Sequence, residues 1–553
     1  MACTSGLASW SRLLARPVSR ALRPLALHSR LTPGAARQLA AEAPAQRQHW
    51  RTAAAAVDAE QQVAASQQQQ QGGAAAPLRD VVEVLRSRGL LQDVTSLELG
   101  SASNHEQLLA YCGFDPTAES LHLGNLLGII VLAWFQRCGH VPVALLGGAT
   151  GRVGDPSGKS AERPVLSEEV IERNVAGIER TLRTLLRPPP GSGLAEPLVL
   201  NNLDWYGPMG LLTFLREIGK YARVGTMLAK ESVRKRMESE SGISYTEFTY
   251  QLLQGYDFVH MRRQFGVRVQ VGGSDQWGNI LAGTDLMRRM MGGPEEAEEA
   301  AGSTNGSISS SGGSISISAV AAADDSAGAP PSSSSSEGFV SEQCFGLTFP
   351  LLLKADGSKF GKSESGALWL NADMLSPYQF YQNLFKTTDE DVVKFLRMLT
   401  FLSLEEVAAI AASMQSPGYV ANTAQRRLAE EVTRFVHGEE GLAQAIKTTE
   451  ALAPGAATKL DADSLEDIAG DAPSASLPRE QLVGALLADV MVAVGMQPSK
   501  GAVRRMIKGG GVRVNNEKVD DELAVLAEED LIDGRLLLIA TGKKNKMLVR
   551  VAA

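Results

Sequence analysis

Apolar residues follow two alternating patterns along residues 78–292. Short apolar strand-like segments stand at residues 141–146, 198–200 and 267–271, the first two uninterrupted and the third alternating Val with Arg268 and Gln270, and between them apolar positions return every three or four residues. An uninterrupted run suits a strand covered on both faces, and the three-to-four step suits a helix with one face packed against it. The alternation predicts an α/β domain built on a parallel sheet. Strand-like residues resume at 345–353, which places residues 78–373 in one domain.

The pattern breaks at residues 292–340, where Ser, Gly, Ala and Glu dominate and Pro330 and Pro331 lie near the end. Such a segment has too little apolar surface to pack and is expected to be a disordered insertion. Loop closure costs only about 0.6 kcal/mol more per doubling of length, so a domain tolerates the interruption. Residues 374–450 return to the helical step, with Phe380, Leu384, Phe395, Leu399, Val407 and Ile410 on the apolar side, and are expected to form an α-helical domain. A linker rich in Ala, Asp, Ser and Pro at residues 451–477 leads to a mixed α+β segment at 478–553.

Composition excludes several classes. The 553 residues are 44% hydrophobic and 21% charged, and the longest strongly apolar run, residues 126–135, is too short to cross a bilayer. No membrane span is expected. Four cysteines without a CxxC pair suggest neither a zinc site nor a disulfide framework, and no metal-ligand cluster is visible. The net charge of −8 excludes a wholly basic surface but not a local basic patch. The first 52 residues differ from the rest: Arg12, Arg16, Arg20, Arg23, Arg30, Arg37, Arg47 and Arg51 stand among Ser and Ala with Glu42 as the one acid. That is the composition of an organellar transit peptide, and the alternative is a basic tail that binds nucleic acid. Residues 53–77, with poly-Ala and a run of Gln, read as a low-complexity linker.

Two segments carry candidate phosphate chemistry. Tyr111-Cys112-Gly113-Phe114-Asp115-Pro116-Thr117 runs into Leu121-His122-Leu123-Gly124-Asn125 at the entrance of an apolar helix, where amide groups and an imidazole can hold phosphate oxygens. Far downstream, Lys359-Phe360-Gly361-Lys362-Ser363 follows the turn Asp356-Gly357, so two lysines on one mobile turn can reach a single polyphosphate. The stretch Gly154-Asp155-Pro156-Ser157-Gly158-Lys159-Ser160 looks like a P-loop, but only three residues separate its glycines where four are needed.

Together these segments resemble the class I aminoacyl-tRNA synthetases, whose His-x-Gly-His signature stands here as His122-Leu123-Gly124-Asn125 and whose Lys-Met-Ser-Lys-Ser signature stands as residues 359–363. Asn125 departs from the usual histidine and retains a hydrogen-bond donor. Residues 111–117, 147–159, Tyr250-Gln251-Leu252-Leu253-Gln254-Gly255-Tyr256-Asp257 and Gln270 through Asn279 narrow the resemblance to the bacterial-type tyrosyl-tRNA synthetases, over about residues 80–290 and 343–553. Tyr250, Gln254 and Asp257 fall at i, i+4 and i+7 on one helical face, polar where a core helix would be apolar.

The resemblance implies a Rossmann-like, doubly wound catalytic domain, then a helical anticodon-binding domain and a small S4-like domain. It implies tyrosine–tRNA ligase activity, with L-tyrosine, ATP with Mg2+, and tRNA(Tyr) as partners, in a homodimer serving translation in a mitochondrion or chloroplast. Asp155, Tyr250 and Gln254 would hold the substrate ammonium, Tyr111 and Asp257 its phenolic hydroxyl, and Gln270 and Gln276 the tyrosine and carboxylate region. Gly113, Asp115, Gly124, Asn125, Gly273 and Asp275 would border ATP together with Phe360, Gly361 and Ser363. Thr117, His122, Lys359 and Lys362 would stabilise charge on the phosphates, with Lys159 and Arg163 swinging in. The sister enzyme for tryptophan and a non-catalytic RNA scaffold are the rival readings.

The tail adds separate evidence. Six basic residues lie between 500 and 518 against one acid, Glu517. Lys500, Arg504, Arg505 and Lys508 precede a Val-x-Val-Asn strand containing Arg513, a pattern similar to the S4 RNA-binding domain.

Overall fold

The computed structural model describes residues 77–157, 166–240, 242–291, 343–363, 366–451, 462, 474–542 and 545–552. The transit-peptide expectation, the insertion at 292–340, Lys159, Arg163 and most of the linker at 451–477 lie outside those residues.

Six strands form the main sheet: β1 (Asp93–Val94), β2 (Leu109–Phe114), β3 (Val141–Leu146), β4 (Leu198–Asn201), β5 (Val269–Gly273) and β6 (Phe345–Phe349), in the order β1-β6-β5-β2-β3-β4. The last five pair in parallel, and β1 joins the edge antiparallel to β6. The chain winds outward from β2 through β3 to β4, then returns to β5 and β6 on the other side of β2. This is the doubly wound order, and its switch point lies between β2 and β5. Alternate residues serve two cores. Ala110, Cys112, Phe114, Ala144 and Leu146 belong to one, and Tyr111, Val143 and Leu145 to the other.

The helices around this sheet are α1 (Val81–Ser87), α2 (Glu98–His105), α3 (Leu123–Arg137), α4 (Glu168–Leu185), α5 (Tyr245–Phe265) and α6 (Trp277–Met291). Helix α3 buries eleven of its fifteen residues and is the most apolar helix of the sheet region. Each fully buried Leu, Ile or Phe in it contributes about 1.5–3 kcal/mol relative to exposure. It starts at Leu123, three residues before the apolar run, because His122 caps it. Strand β6 stops at Phe349, short of the expected residue 353, because Pro350 has no amide hydrogen to continue the ladder. Strand β5 lies two residues later than its strand-like segment, ending on Gly273.

Beyond the sheet lie α7 (Pro377–Phe385), α8 (Asp389–Leu399), α9 (Leu404–Ser413) and α10 (Thr423–Ala451), the last kinked where Gly438 takes φ 72°. The helical expectation for this stretch agrees. Its core is continuous with that of the sheet: Phe380, Val392, Phe395, Leu428 and Val432 pack in the same cluster as Leu85, Leu126 and Phe135.

The C-terminal segment is a five-stranded sheet, β11-β10-β12-β13-β9, built from β9 (Ser474–Pro478), β10 (Val512–Val514), β11 (Glu517–Lys518), β12 (Leu536–Thr541) and β13 (Asn545–Ala552). Helices α11 (Leu487–Ala493) and α12 (Lys500–Lys508) cover one face around Leu487, Met491, Val503, Ile507 and Ile539. A two-residue hairpin, β7 (Lys362–Ser363) with β8 (Gly366–Ala367), closes the described strands. Among the described residues no helix is long and apolar enough to cross a membrane.

Candidate active site

A cavity of about 610 Å3 opens at the carboxyl ends of β2, β3 and β5, beside the start of α3. Parallel strands carry their chain from the sheet into turns at this edge, and each turn here delivers a polar group. After β2 comes Asp115, after β3 Thr150, after β4 Asn202, and after β5 Asp275. The cavity therefore sits at the topological switch point, where such sheets bind ligands.

Its deep end is built by α5. Tyr250, Gln254 and Asp257 all line the cavity from one helix face, while Phe258, Val259 and Met261 turn into the core. Asp257 is 2% exposed and holds two donors: Trp205 Nε1 on Oδ1 at 2.9 Å and Asn202 Nδ2 on Oδ2 at 3.1 Å. Burial pushes its carboxyl up to about 7, against the lowering effect of those hydrogen bonds. Tyr111, on β2, is 2% exposed, and its Oη finds no hydrogen-bond partner among the described residues. Burial, and then the charge of Asp257, raise the phenol well above its ordinary value, so it stays a neutral donor. Gln254 Oε1 and Gln270 Oε1 are likewise buried without partners. An unpaired buried polar atom costs about 1–3 kcal/mol, so these atoms mark where a ligand's polar groups belong.

A chain of hydrogen bonds joins the two ends of the site. Asn202 Nδ2 also donates to Thr150 Oγ1 at 3.0 Å, Thr150 donates to Asp115 Oδ1 at 2.8 Å, and Tyr250 Oη donates to Asp115 Oδ2 at 3.0 Å. Gly147 is required beside it, because a Cβ there would stand 2.2 Å from Asp115 Oδ1. On the opposite wall Gln276 Nε2 donates to Asp155 Oδ2 at 2.7 Å, and Asn279 donates to Ser157 Oγ and Gln276 Oε1 at 3.1 and 3.2 Å. Asp275 has its carboxyl raised, first by burial and then by Asp155, with Lys359 acting in the opposite direction. Lys230 is half-buried with its Nζ buried, and its ammonium is lowered to about 8 by desolvation despite Asp155.

The open end brings the two signatures together across more than two hundred residues of chain. His122 caps α3 reciprocally with Asn125: Asn125 N donates to His122 Nδ1 at 3.3 Å and His122 N donates to Asn125 Oδ1 at 3.1 Å. A ring whose Nδ1 accepts carries its proton on Nε2, so neutral His122 is a donor from Nε2. Residues 368–371 bridge the signatures: Leu368 N donates to Gly361 O (3.0 Å), Leu123 N to Leu368 O (2.8 Å) and Leu370 N to Leu121 O (2.8 Å). Gly361 takes φ +100°, and a side chain there would press on Leu123 Cβ at 3.3 Å. Gly113, Asp115, Thr117, Gly124, Asn125 and Gly273 line the cavity with Asp275, Gln276, Lys359, Phe360 and Gly361. Lys362 and Ser363 are placed through their backbone in β7.

Sequence reasoning missed Asn202, Trp205 and the role of Thr150. Asn201-Asn202 directly after an apolar strand was the available signal, since polar residues at the carboxyl end of a parallel strand face the ligand crevice.

The basic tail divides. On α12, Val503 and Ile507 face the core, and Lys500, Arg505 and Lys508 are exposed. Lys500 pairs with Asp489 at 2.7 Å and Lys508 with Glu522 at 3.5 Å. Arg504 is half-buried, its Nε without a partner among the described residues, and Arg513 is half-buried on β10.

A family profile described as tRNA synthetases class I (W and Y) matches residues 103–453, and one for the tyrosine–tRNA ligase SYY-like C-terminal domain matches residues 464–549. The chain is 54% identical over 476 residues to the chloroplastic/mitochondrial tyrosine–tRNA ligase of Arabidopsis thaliana, covering 86% of this chain and 84% of that one. It is 47% identical over 474 residues to the tyrosine–tRNA ligase of Protochlamydia amoebophila (strain UWE25), covering 86% and 99%. Among solved structures it is similar to a C-terminally truncated mitochondrial tyrosyl-tRNA synthetase of Aspergillus nidulans, with 28% identity, a TM-score of 0.53, and coverage of 71% of this chain and 98% of that one.

Proposed function

We propose the following roles for the side chains of this chain, which belongs to the class I tRNA synthetases for tryptophan and tyrosine and is a tyrosine–tRNA ligase. The observation that carries the assignment of roles is the pair at the bottom of the cavity. A tyrosine side chain entering there meets Tyr111 Oη, which has no other partner among the described residues, and the Asp257 carboxyl. Phenylalanine in the same place leaves the Tyr111 hydroxyl unpaired and brings the Asp257 carboxyl no donor beyond Trp205 and Asn202, a discrimination for which tyrosyl-tRNA synthetases are the standard example. Gln254, Asp155 and Tyr250 then take the ammonium, and Gln270 and Gln276 border the carboxylate.

That carboxylate is already ionised at neutral pH, so it needs no general base. It attacks the α-phosphorus of ATP, a carboxyl–phosphate bond forms, and the bond to the β-phosphate breaks with its electron pair leaving on pyrophosphate. Charge therefore grows on the leaving phosphates. Thr117, His122 through its Nε2 proton, Lys359 and Lys362 stabilise it where it develops, with Lys159 and Arg163. Magnesium enters bound to ATP. Gly113, Asp115, Gly124, Asn125, Gly273 and Asp275 surround the nucleoside. The 3′-terminal ribose hydroxyl of tRNA(Tyr) then attacks the activated carbonyl and AMP leaves. Pyrophosphate exchange tests this reading: it should proceed with tyrosine and fail with tryptophan. Equal exchange with both would overturn it.

A homodimer accompanies this reading. The helix Leu211–Glu217 buries none of its residues, and Leu211, Leu212 and Val224 are 70%, 80% and 60% exposed. A second copy covering this apolar patch explains it. The double change Leu211→Asp and Leu212→Asp should yield a monomer by sedimentation. Import into mitochondrion or chloroplast rests on the Arg-rich first 52 residues and on the organellar name of the Arabidopsis relative. A reporter fused to those residues should leave the cytosol.

A further inference from the structure

The hairpin that carries Lys359 is held from outside the cavity. Phe360 N donates to Leu352 O at 2.8 Å, Lys354 N donates to Ser358 O at 2.8 Å, Leu353 and Lys359 form a bridge, and Gly357 turns the chain at φ 79°. One side of this hairpin presents Lys359 to the cavity. The other side lies on α8. There Asp391, Lys394 and Phe395 stand at i, i+3 and i+4, which places them on one helix face.

Each of the three meets a different level of the hairpin. Asp391 Oδ1 accepts from Ala355 N at 2.9 Å, near the tip. Lys394 Nζ donates to Leu353 O at 2.8 Å, on the outgoing arm. The Phe395 ring lies 4.3 Å from the Phe360 ring, on the returning arm. Asp391 is 4% exposed and its second oxygen accepts from Thr388 Oγ1 at 3.1 Å, while Phe395 is fully buried. Holding groups are therefore fixed, whereas residues 355–359 are all exposed. A glycine-containing exposed turn has many conformations, and a misplacement of about 1 Å at a reacting group can cost on the order of a hundredfold in rate. Helix α8 belongs to the helical region, outside every motif that marks the site.

We propose that this face of α8 is a positioning device, with Asp391 its principal positioning residue, that holds the hairpin in the arrangement directing Lys359 to the ATP phosphates. The rate of adenylation then depends on a helix that touches neither substrate. The inference rests on the reading that Lys359 stabilises the phosphates.

Pyrophosphate exchange by the full chain tests it. Asp391→Ala should lower kcat by about tenfold or more with the tyrosine KM unchanged. Asp391→Asn should restore most of the rate, because its amide oxygen still accepts from Ala355 N. Lys394→Met changes an exposed side chain, so it does not threaten folding, and should lower kcat by about threefold at the same tyrosine KM. The decisive comparison is the double variant. Asp391→Ala combined with Lys359→Ala should be much less slowed than the product of the two single losses, since the group this face chiefly positions is then gone. Losses that multiply, with Lys359→Ala itself damaging, would overturn this proposal and leave the reading of the loop intact. A harmless Lys359→Ala would overturn both. Unchanged kcat in both Asp391→Ala and Lys394→Met would overturn the positioning role alone.

Discussion

Trp205 Nε1 donates to Asp257 Oδ1 across 2.9 Å in a buried pocket, joining a short helix after β4 to the substrate face of α5. The indole fixes the carboxyl that faces the incoming phenol, so Trp205 acts on specificity without lining the cavity. Trp205→Phe keeps the ring's bulk and deletes the donor. Above about pH 7, where the Asp257 carboxyl is ionised, a hydrogen bond to it is worth about 1.5–3 kcal/mol, so kcat/KM for tyrosine should fall roughly ten- to a hundredfold. Phenylalanine activation should change much less, since phenylalanine makes no use of the carboxyl. Parallel exchange assays decide it; equal losses for the two amino acids would reduce Trp205 to packing.

Asp257 also predicts a pH dependence of stability. Its folded carboxyl is raised to about 7, above the value of about 4 in an unfolded chain. Between these values the folded state binds the extra proton, so the stability contributed is fully present below about pH 4 and is lost as pH rises toward 7. Wild type should therefore weaken relative to Asp257→Asn across that window, by at most about 1.4 kcal/mol per pH unit, and run parallel to it outside. Denaturant titrations of both ligand-free proteins give the difference. A constant difference from pH 4 to 7 would mean Asp257 is ionised throughout.

Arg236 and Glu247 form a buried pair, 1% and 3% exposed, with Nε–Oε1 at 2.7 Å and a second contact at 2.8 Å. It ties the short helix Glu231–Met237 to the first turn of α5, upstream of Tyr250, Gln254 and Asp257. Glu247→Ala strands a buried guanidinium and should cost about 3–5 kcal/mol of stability. The double change Arg236→Met with Glu247→Leu should cost less than that single change, because no charge is left unpaired. Unfolding midpoints of the two variants provide the measurement, and a single variant as stable as wild type would contradict it.

The features legible in the sequence share a short range. Strand β3 coincides with its apolar run at residues 141–146, and the i, i+4, i+7 spacing placed Tyr250, Gln254 and Asp257 on one face. Helical and strand periods act over a few residues, so a local pattern specifies them. Asn202, Trp205 and Asp391 were not legible. Asn202 reaches Asp257 and Thr150, and Asp391 reaches Ala355, only because distant elements pack side by side. Asn and Asp carry no periodic signal that would announce such partners. The tail shows the converse: a count of basic residues treated Lys500 and Lys508 like Arg505, whereas folding gives both lysines carboxylate partners.

That difference sharpens the last prediction. The described groups assigned to tyrosine and ATP, with Lys362 and Ser363 placed through their backbone, precede α7, while the basic helix α12 lies in a separate sheet-and-helix core. A chain ending at residue 473 removes β9 to β13 as a set, leaving no unpaired strand of that sheet behind. It should still exchange pyrophosphate with tyrosine near the wild-type rate and charge tRNA poorly. Within the full chain, the basic groups should not contribute equally. Each phosphate neutralised adds roughly 0.7–0.9 to the slope of log K against log salt. Arg505 is exposed in the last turn of α12, so Arg505→Ala should flatten the slope by about one such unit. Lys500 must leave Asp489 before it meets RNA, so Lys500→Ala should flatten it less. Filter binding of tRNA over a salt series measures both. If the truncated chain kept the full rate of charging and the original slope, the phosphate contacts would lie elsewhere on the molecule, and the exposed face of α12 would be an ordinary solvated helix edge.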